Sequence, residues 1–158
     1  MRILGRNNRV CRRRGATAVE TALVLPLVIV FLFGILEYGR YLMTLQVLQN
    51  AAREGAHYAL THTQPITIAS TTYGNATTDV TNIINKAMGG GNYLSGQNVQ
   101  IYAADSLGNN VGSWTSTQVG QSVCVRITGS YNVILGNMIF LPTTIPVVAQ
   151  AVMRSESN

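Results

Sequence analysis

A chain of 158 residues holds one ordinary domain and little more. Apolar residues make up 47% of it, but charged residues only 11%, less than half of the roughly 25% usual in soluble domains. That balance excludes a disordered chain, which needs high charge and few apolar groups. It favours a secreted or membrane-associated protein over a cytosolic enzyme.

The net charge of +5 is local. Six of the eleven basic residues are Arg2, Arg6, Arg9, Arg12, Arg13 and Arg14, and beyond them five basic residues face six acidic ones. A nucleic-acid-binding domain spreads its basic residues over a face or groove, so no nucleic-acid partner is expected. A basic cluster ahead of an apolar run is instead the kind that stays on the cytoplasmic side of a membrane.

Ala22 to Leu36 reads ALVLPLVIVFLFGIL, without a charge between Glu20 and Glu37. A membrane-spanning helix needs about 20 apolar residues, and extending back to Ala16 supplies them at the cost of including Glu20. The expected anchor is a single span over residues 16–37, with the N-terminus cytoplasmic and the rest outside. A cleaved secretory signal would show a small-x-small site after its apolar core. Here Glu37-Tyr38-Gly39-Arg40-Tyr41 follows, bulky and charged. Pro26 interrupts the helical ladder within the span, a break that spanning helices tolerate. Glu37 and Arg40, three residues apart, can pair on one face at the outer membrane surface, where Tyr38 and Tyr41 would form an aromatic belt.

The helical pattern does not stop at the membrane. Tyr38, Tyr41, Leu42, Leu45, Leu48, Ala52, Ala56, Ala59 and Leu60 recur at steps of three and four. One helix from Ala16 to about Thr61 would be about 69 Å long at 1.5 Å per residue, so its second half, 38–61, is an amphipathic spine for a domain to cover. Residues 61–76, rich in Thr, Ser and Gln and including Pro65, read as a loop with room for a short extended piece. Thr77 to Met88 reads as a second helix, capped by Thr77 or Thr78, with Val80, Ile83, Ile84, Ala87 and Met88 inward and Gly89-Gly90-Gly91 as its stop.

The remainder alternates as strands do: Val99, Ile101 and Ala103; Val123, Val125 and Ile127 opposite Cys124, Arg126 and Thr128; then Ile145, Val147, Ala149, Ala151 and Met153. Asp105 to Asn110 is a turn-rich link. Pro146 suits a strand start or an edge. The expected fold class is α+β, with a long N-terminal helix, a short second helix and a three- or four-stranded antiparallel sheet packed on the long helix. Residues 62–158 form the extracytoplasmic domain. Val133 to Leu141 (VILGNMIFL) is too apolar for a surface loop. It either folds under the sheet or presents Met138, Ile139, Phe140 and Leu141 as a patch for a partner or membrane.

Chemistry-bearing constellations are missing from the sequence. His57 and His62 are five apart and share no helical face; the two cysteines, Cys11 and Cys124, are too few for a zinc site. No phosphate-cradling glycine loop and no nucleophile elbow occurs. The expectation is a non-enzyme without metal, cofactor or small-molecule substrate. Cys124 reads as a small core residue.

Three stretches carry a family resemblance. RRRGATAVETALVLPL, Arg12 to Leu27, resembles a type IV prepilin leader of the tight-adherence (Flp) kind. FGILEYGRYL and LQNAAREGAHYA, Phe33 to Leu42 and Leu48 to Ala59, are similar to TadE-like proteins, minor pseudopilins of that system. The resemblance implies a pilin-like fold and a basic leader over residues 1–15. It implies a prepilin peptidase cutting between Gly15 and Ala16, so that Glu20 becomes the fifth residue of the mature chain and pairs with the new α-ammonium of a neighbouring copy. The implied partners are the inner membrane, prepilin peptidase, other pilins or pseudopilins and Tad assembly proteins. Glu20, Pro26, Glu37 and Arg40 would be helix-assembly residues. The competing expectation is an uncleaved, single-pass anchored binding module of a secretion system.

Overall fold

The computed structural model describes residues 12–62, 66–68, 71–73, 77–91, 93–118, 120–134, 136 and 142–155, with backbone alone at 12–14, 66–68 and 71–73. The first element, α1, is a helix over Arg12–Thr61. It begins four residues before the expected start and runs on through Pro26. Proline offers no N–H, so the carbonyl one turn back, at Ala22, loses its ladder bond there. The Thr21 hydroxyl, by contrast, stays within the ladder and donates to the Thr17 carbonyl at 2.8 Å.

By contact density the chain divides into two compact parts, one up to Tyr38 and the other from Gly39 onwards. The first holds the apolar run of α1. The second holds the rest of the helix and everything after it.

In the second part α1 buries a stripe of mostly small side chains. Leu48, Ala51, Ala52, Ala56 and Ala59 are fully buried, at the three- and four-residue spacing of one helical face. The expected stripe needs two corrections. Tyr38 and Leu42 are exposed, 63% and 39%, and the buried face starts instead with the half-buried Tyr41 and the buried Thr44. Thr44 is tolerable there because its hydroxyl donates to the Arg40 carbonyl at 3.0 Å.

After α1 come β1 (Ile66–Ile68) and β2 (Thr71–Tyr73), a small antiparallel pair within the stretch read as a loop. The second helix, α2, spans Thr77–Ala87. Val80, Ile84 and Met88 are buried, Ile83 is half-buried and Ala87 is exposed, against expectation. Ala87 lies on the side of α2 turned from the core, and its small side chain carries little cost there. The helix stops as its glycines predict. Gly90 N–H donates to Asn85 O at 3.0 Å and Gly89 N–H to Lys86 O at 2.8 Å, a Schellman pair that needs the positive φ of 67° at Gly89.

Four strands complete the fold: β3 (Ser95–Ala104), β4 (Asn110–Gly112), β5 (Ser122–Asn132) and β6 (Thr144–Arg154). They form one antiparallel sheet in the order β4-β3-β5-β6. β4 and a 3-10 turn at Trp114–Ser116 were not expected from the sequence. β6 is an edge, as Pro146 within it suits.

Register places Val99, Ile127 and Ala149 in one row, and Ile101, Val125 and Ala151 in the next. These rows face the α1 stripe and α2 in a single core cluster that also holds Trp114. The Trp114 indole N–H reaches the Thr77 hydroxyl at 3.4 Å. Ile145, expected inward, is 38% exposed near the strand's start.

The other face carries the rows Tyr102, Cys124, Val152 and Gln100, Arg126, Gln150. Tyr102, Ala104 and Cys124 form a second, small buried cluster, and Cys124 is a free buried thiol. The 105–109 turn reaches it, since the Tyr102 hydroxyl donates to Gly108 O at 3.2 Å. Burial lifts the Tyr102 phenol above its ordinary pKa, helped by the adjacent Cys124.

The turn is organised by Asp105. Its Oδ1 accepts the backbone N–H of Leu107 at 2.9 Å and of Asn109 at 2.8 Å, and its Oδ2 accepts the Asn109 side-chain amide at 3.0 Å. These bonds to the charged form, the Asn109 side chain foremost, hold the carboxyl below its ordinary value. A lowered folded pKa stabilises the folded state above the unfolded value, 3.8. That contribution falls away as pH drops below 3.8 through the folded value. The Leu107 and Asn109 amide resonances should hold their native positions down to pH 4 and move below it, and Asp105→Asn should abolish that step.

At Gly55 a side chain of α2 comes close to the backbone of α1. A Cβ built there would lie 2.5 Å from Ile84 Cγ1 and 2.7 Å from its Cδ1. Gly55→Leu should therefore overpack the core and cost about 1–3 kcal/mol. Urea unfolding of the full chain in micelles, followed by the fluorescence of the buried Trp114, measures it; an unshifted midpoint would mean that Ile84 gives way freely.

Candidate assembly interface

The residues expected to act in assembly fall in two places on α1. Gly15, Ala16 and Glu20 lie in its first turns, all exposed. Because α1 starts at Arg12, the Gly15–Ala16 peptide bond is helical. Among the described residues no non-local atom approaches within 4 Å of a Cβ built on Gly15. Ala16 and Glu20, four apart, lie on one face about 6 Å along the axis.

From there to Leu36 the helix presents apolar side chains on every side. Leu23, Leu27, Phe31 and Leu36 are each about 70% exposed, and Val24, Val28 and Val30 are exposed too. A surface helix of a soluble domain has one apolar stripe, whereas one that is apolar all round is made for lipid or for other helices. Gly15–Thr61 is the one helix among the described residues long and apolar enough to cross a membrane. Pro26 sits in the middle of that run. Gly34 and Gly39 meet nothing within 4 Å.

Arg40 has a different setting. Its Nη2 donates to the Asn132 carbonyl at the end of β5, at 2.7 Å. Its guanidinium carbon stands 5.0 Å from the centroid of the Tyr131 ring, within cation–π range. Tyr41, one residue on, meets the same ring edge-on at 5.4 Å between centroids. Arg40 is thus bound to its own sheet. The expectation of a Glu37–Arg40 pair at the membrane surface did not foresee this bond. Glu37 is half-buried. Tyr131 and Asn132 were not singled out by sequence reasoning. Nothing local marks them, because they lie 91 and 92 positions from Arg40 in a strand whose register only folding reveals.

Met138, Ile139, Phe140 and Leu141, the expected partner patch, lie outside the described residues. The segment that leads to them starts as a close hairpin, with Val133 N–H donating to Thr143 O at 2.9 Å. Ile134 within it is 69% exposed. His57 is exposed at the far end of α1, and His62 stacks on Tyr58 at 4.0 Å with Nδ1 near Thr61 Oγ1 and Tyr58 O. This is a helix-end contact. Among the described residues no group of His, Cys, Asp or Glu could hold a metal ion.

Arg40→Ala removes a charge-assisted hydrogen bond and a cation–π contact. Both are partly solvated, so the loss should be about 1 kcal/mol. Thermal unfolding of the full chain in micelles reads it, and Arg40→Lys should recover only part, since an ammonium lacks the planar fork.

Residues 15–57 match the model of the family described as TadE-like protein. The match covers α1 from the proposed cleavage position almost to its end. No curated protein and no solved structure matches the chain.

Proposed function

We propose that this chain, TadE-like from residue 15 to residue 57, is a minor pseudopilin of a Tad (Flp) pilus system, made as a membrane-anchored precursor and acting structurally, not as an enzyme. The single observation that carries the reading is that family match, which begins at Gly15 and takes in Ala16 and Glu20. In this reading Arg2 to Arg14 stay cytoplasmic, residues 16–37 cross the inner membrane, and the sheet domain lies outside. A prepilin peptidase cuts between Gly15 and Ala16.

The all-round apolar surface of α1 supports this reading physically. In lipid it is already solvated. On leaving lipid each large side chain would cost roughly 1.5–3 kcal/mol unless it is covered again, and equivalent helices of other pilins supply that cover. Glu20, costly at mid-bilayer, becomes tolerable once the α-ammonium of a neighbour's Ala16 can pair with it.

The helical Gly15–Ala16 bond adds a requirement. A peptide bond inside a helix is closed to a protease until its turn unwinds. Gly15 eases that, since glycine weakens a helix by about 1 kcal/mol against alanine. The same helical bond is the observation favouring the second reading, an uncleaved single-pass anchor for a binding module of a secretion system.

Intact-mass measurement of the protein from cells with active peptidase separates the two. Processing predicts a chain starting at Ala16; a chain retaining Arg2 to Arg14 overturns it. Gly15→Leu should block cutting. Glu20→Ala should still be cut yet fail to enter assemblies, if the carboxylate serves packing.

A further inference from the structure

An open groove of about 370 Å³ is lined by Asn50 and Glu54 of α1 and by Ile83, Lys86 and Ala87 of α2. Met43, Val47, Asn50 and Glu54 follow one another at steps of four, three and four, so they share one stripe of α1. Met43 is 60% exposed. Val47 and Ile83 are only half-buried, and Ala87 is exposed. The groove and the stripe leading to it therefore leave apolar surface uncovered.

Its charges are the informative part. Lys86 is the chain's one lysine, and Glu54 is one of only six acidic residues. In a chain so poor in charge, one base and one acid line the same groove from different helices, both exposed. Neither side chain has an ion-pair partner among the described residues. The last turn of α2 suits a base, which accounts for the sign of Lys86 but not for Glu54 beside it. A surface that carries one charge of each sign is complementary to itself under a two-fold rotation.

We propose that the α1–α2 groove is the contact between two copies of this chain, related by a two-fold axis running along α1. The rotation sets each Glu54 against Lys86 of the second copy, so one acid and one base make two ion pairs. Met43, Val47, Ile83 and Ala87 supply the apolar area, and the solvated pairs fix register and partner more than strength. An axis along α1 keeps the two helices pointing the same way, as two chains anchored in one membrane must. That direction alone rests on the anchored reading; the charge pairing does not.

The test is a charge reversal, read by sedimentation equilibrium of the full chain in density-matched detergent micelles. Glu54→Lys leaves two bases on the groove, and Lys86→Glu leaves two acids. Each variant should dimerise about tenfold more weakly than the wild type, since two exposed attractions become repulsions, with the fluorescence of the buried Trp114 unchanged. Mixed together, the two variants should regain wild-type strength as a one-to-one heterodimer, because every contact then joins opposite charges. The double variant should regain it by itself. A wild-type chain that stays monomeric even when concentrated overturns the proposal and leaves the groove to a different protein. Dimers that neither reversal weakens place the contact elsewhere, such as the apolar run of α1, and overturn it too. So do weakened variants that mixing fails to rescue. Cutting at Gly15–Ala16 is read separately by intact mass, so failure here leaves that reading standing.

Discussion

The domain depends on how closely other elements can approach α1. Leu48 apart, the buried face of α1 after Arg40 is built of small residues, Thr44, Ala51, Ala52, Gly55, Ala56 and Ala59. A face of that kind contributes little apolar area of its own. Its value is that large side chains from other elements can lie directly against the helix backbone. Ile84 of α2 and Val125 of β5 come up to Gly55, and Ile127 of β5 and Val147 of β6 belong to the same core. Ile84 reaches Gly55 so closely that a single methyl group there would collide with it. Dense packing of this kind transmits small volume errors.

The same helix changes solvent along its length. Up to Leu36 its large apolar side chains point outward on all sides; after Arg40 its small ones point inward on one side. Arg40 stands near the change, bonded to Asn132 and set over Tyr131. Its fork joins two elements distant in sequence without burying a charge, which is the economical way to use an arginine at a polar–apolar boundary.

Much of this was legible in the residues. Steps of three and four revealed α1 and α2, and steps of two revealed β3, β5 and β6, because those periods belong to the backbone geometry itself. The helix stop at Gly89 was legible for a stereochemical reason, and the two faces of β5 for a geometric one. What was not legible depended on partners far along the chain. β4 is three residues long and mostly defined by its pairing with β3. Leu42 has the right chemistry for the buried stripe but falls just short of the sheet's cover. Nothing in the sequence alone marks Gly55, and only the nearness of Ile84 gives it a role. On the candidate interface, the order Gly15, Ala16, Glu20 and the apolar run could be read directly. The attachment of Arg40 to β5 could not, because its partner lies far along the chain.

The order in which the elements are made gives the small-residue stripe another consequence. Leu48 to Ala59 leave the ribosome long before Val123 to Ile127 and Val147 to Ala151, the strands that will cover them. Throughout that interval the stripe is bare. Had it been built of leucine and isoleucine, a nascent chain would carry a second sticky surface beside its apolar run, inviting misassembly with its neighbours. Alanine and glycine present too little oily area for that, so the helix can wait for its sheet without finding the wrong companion first.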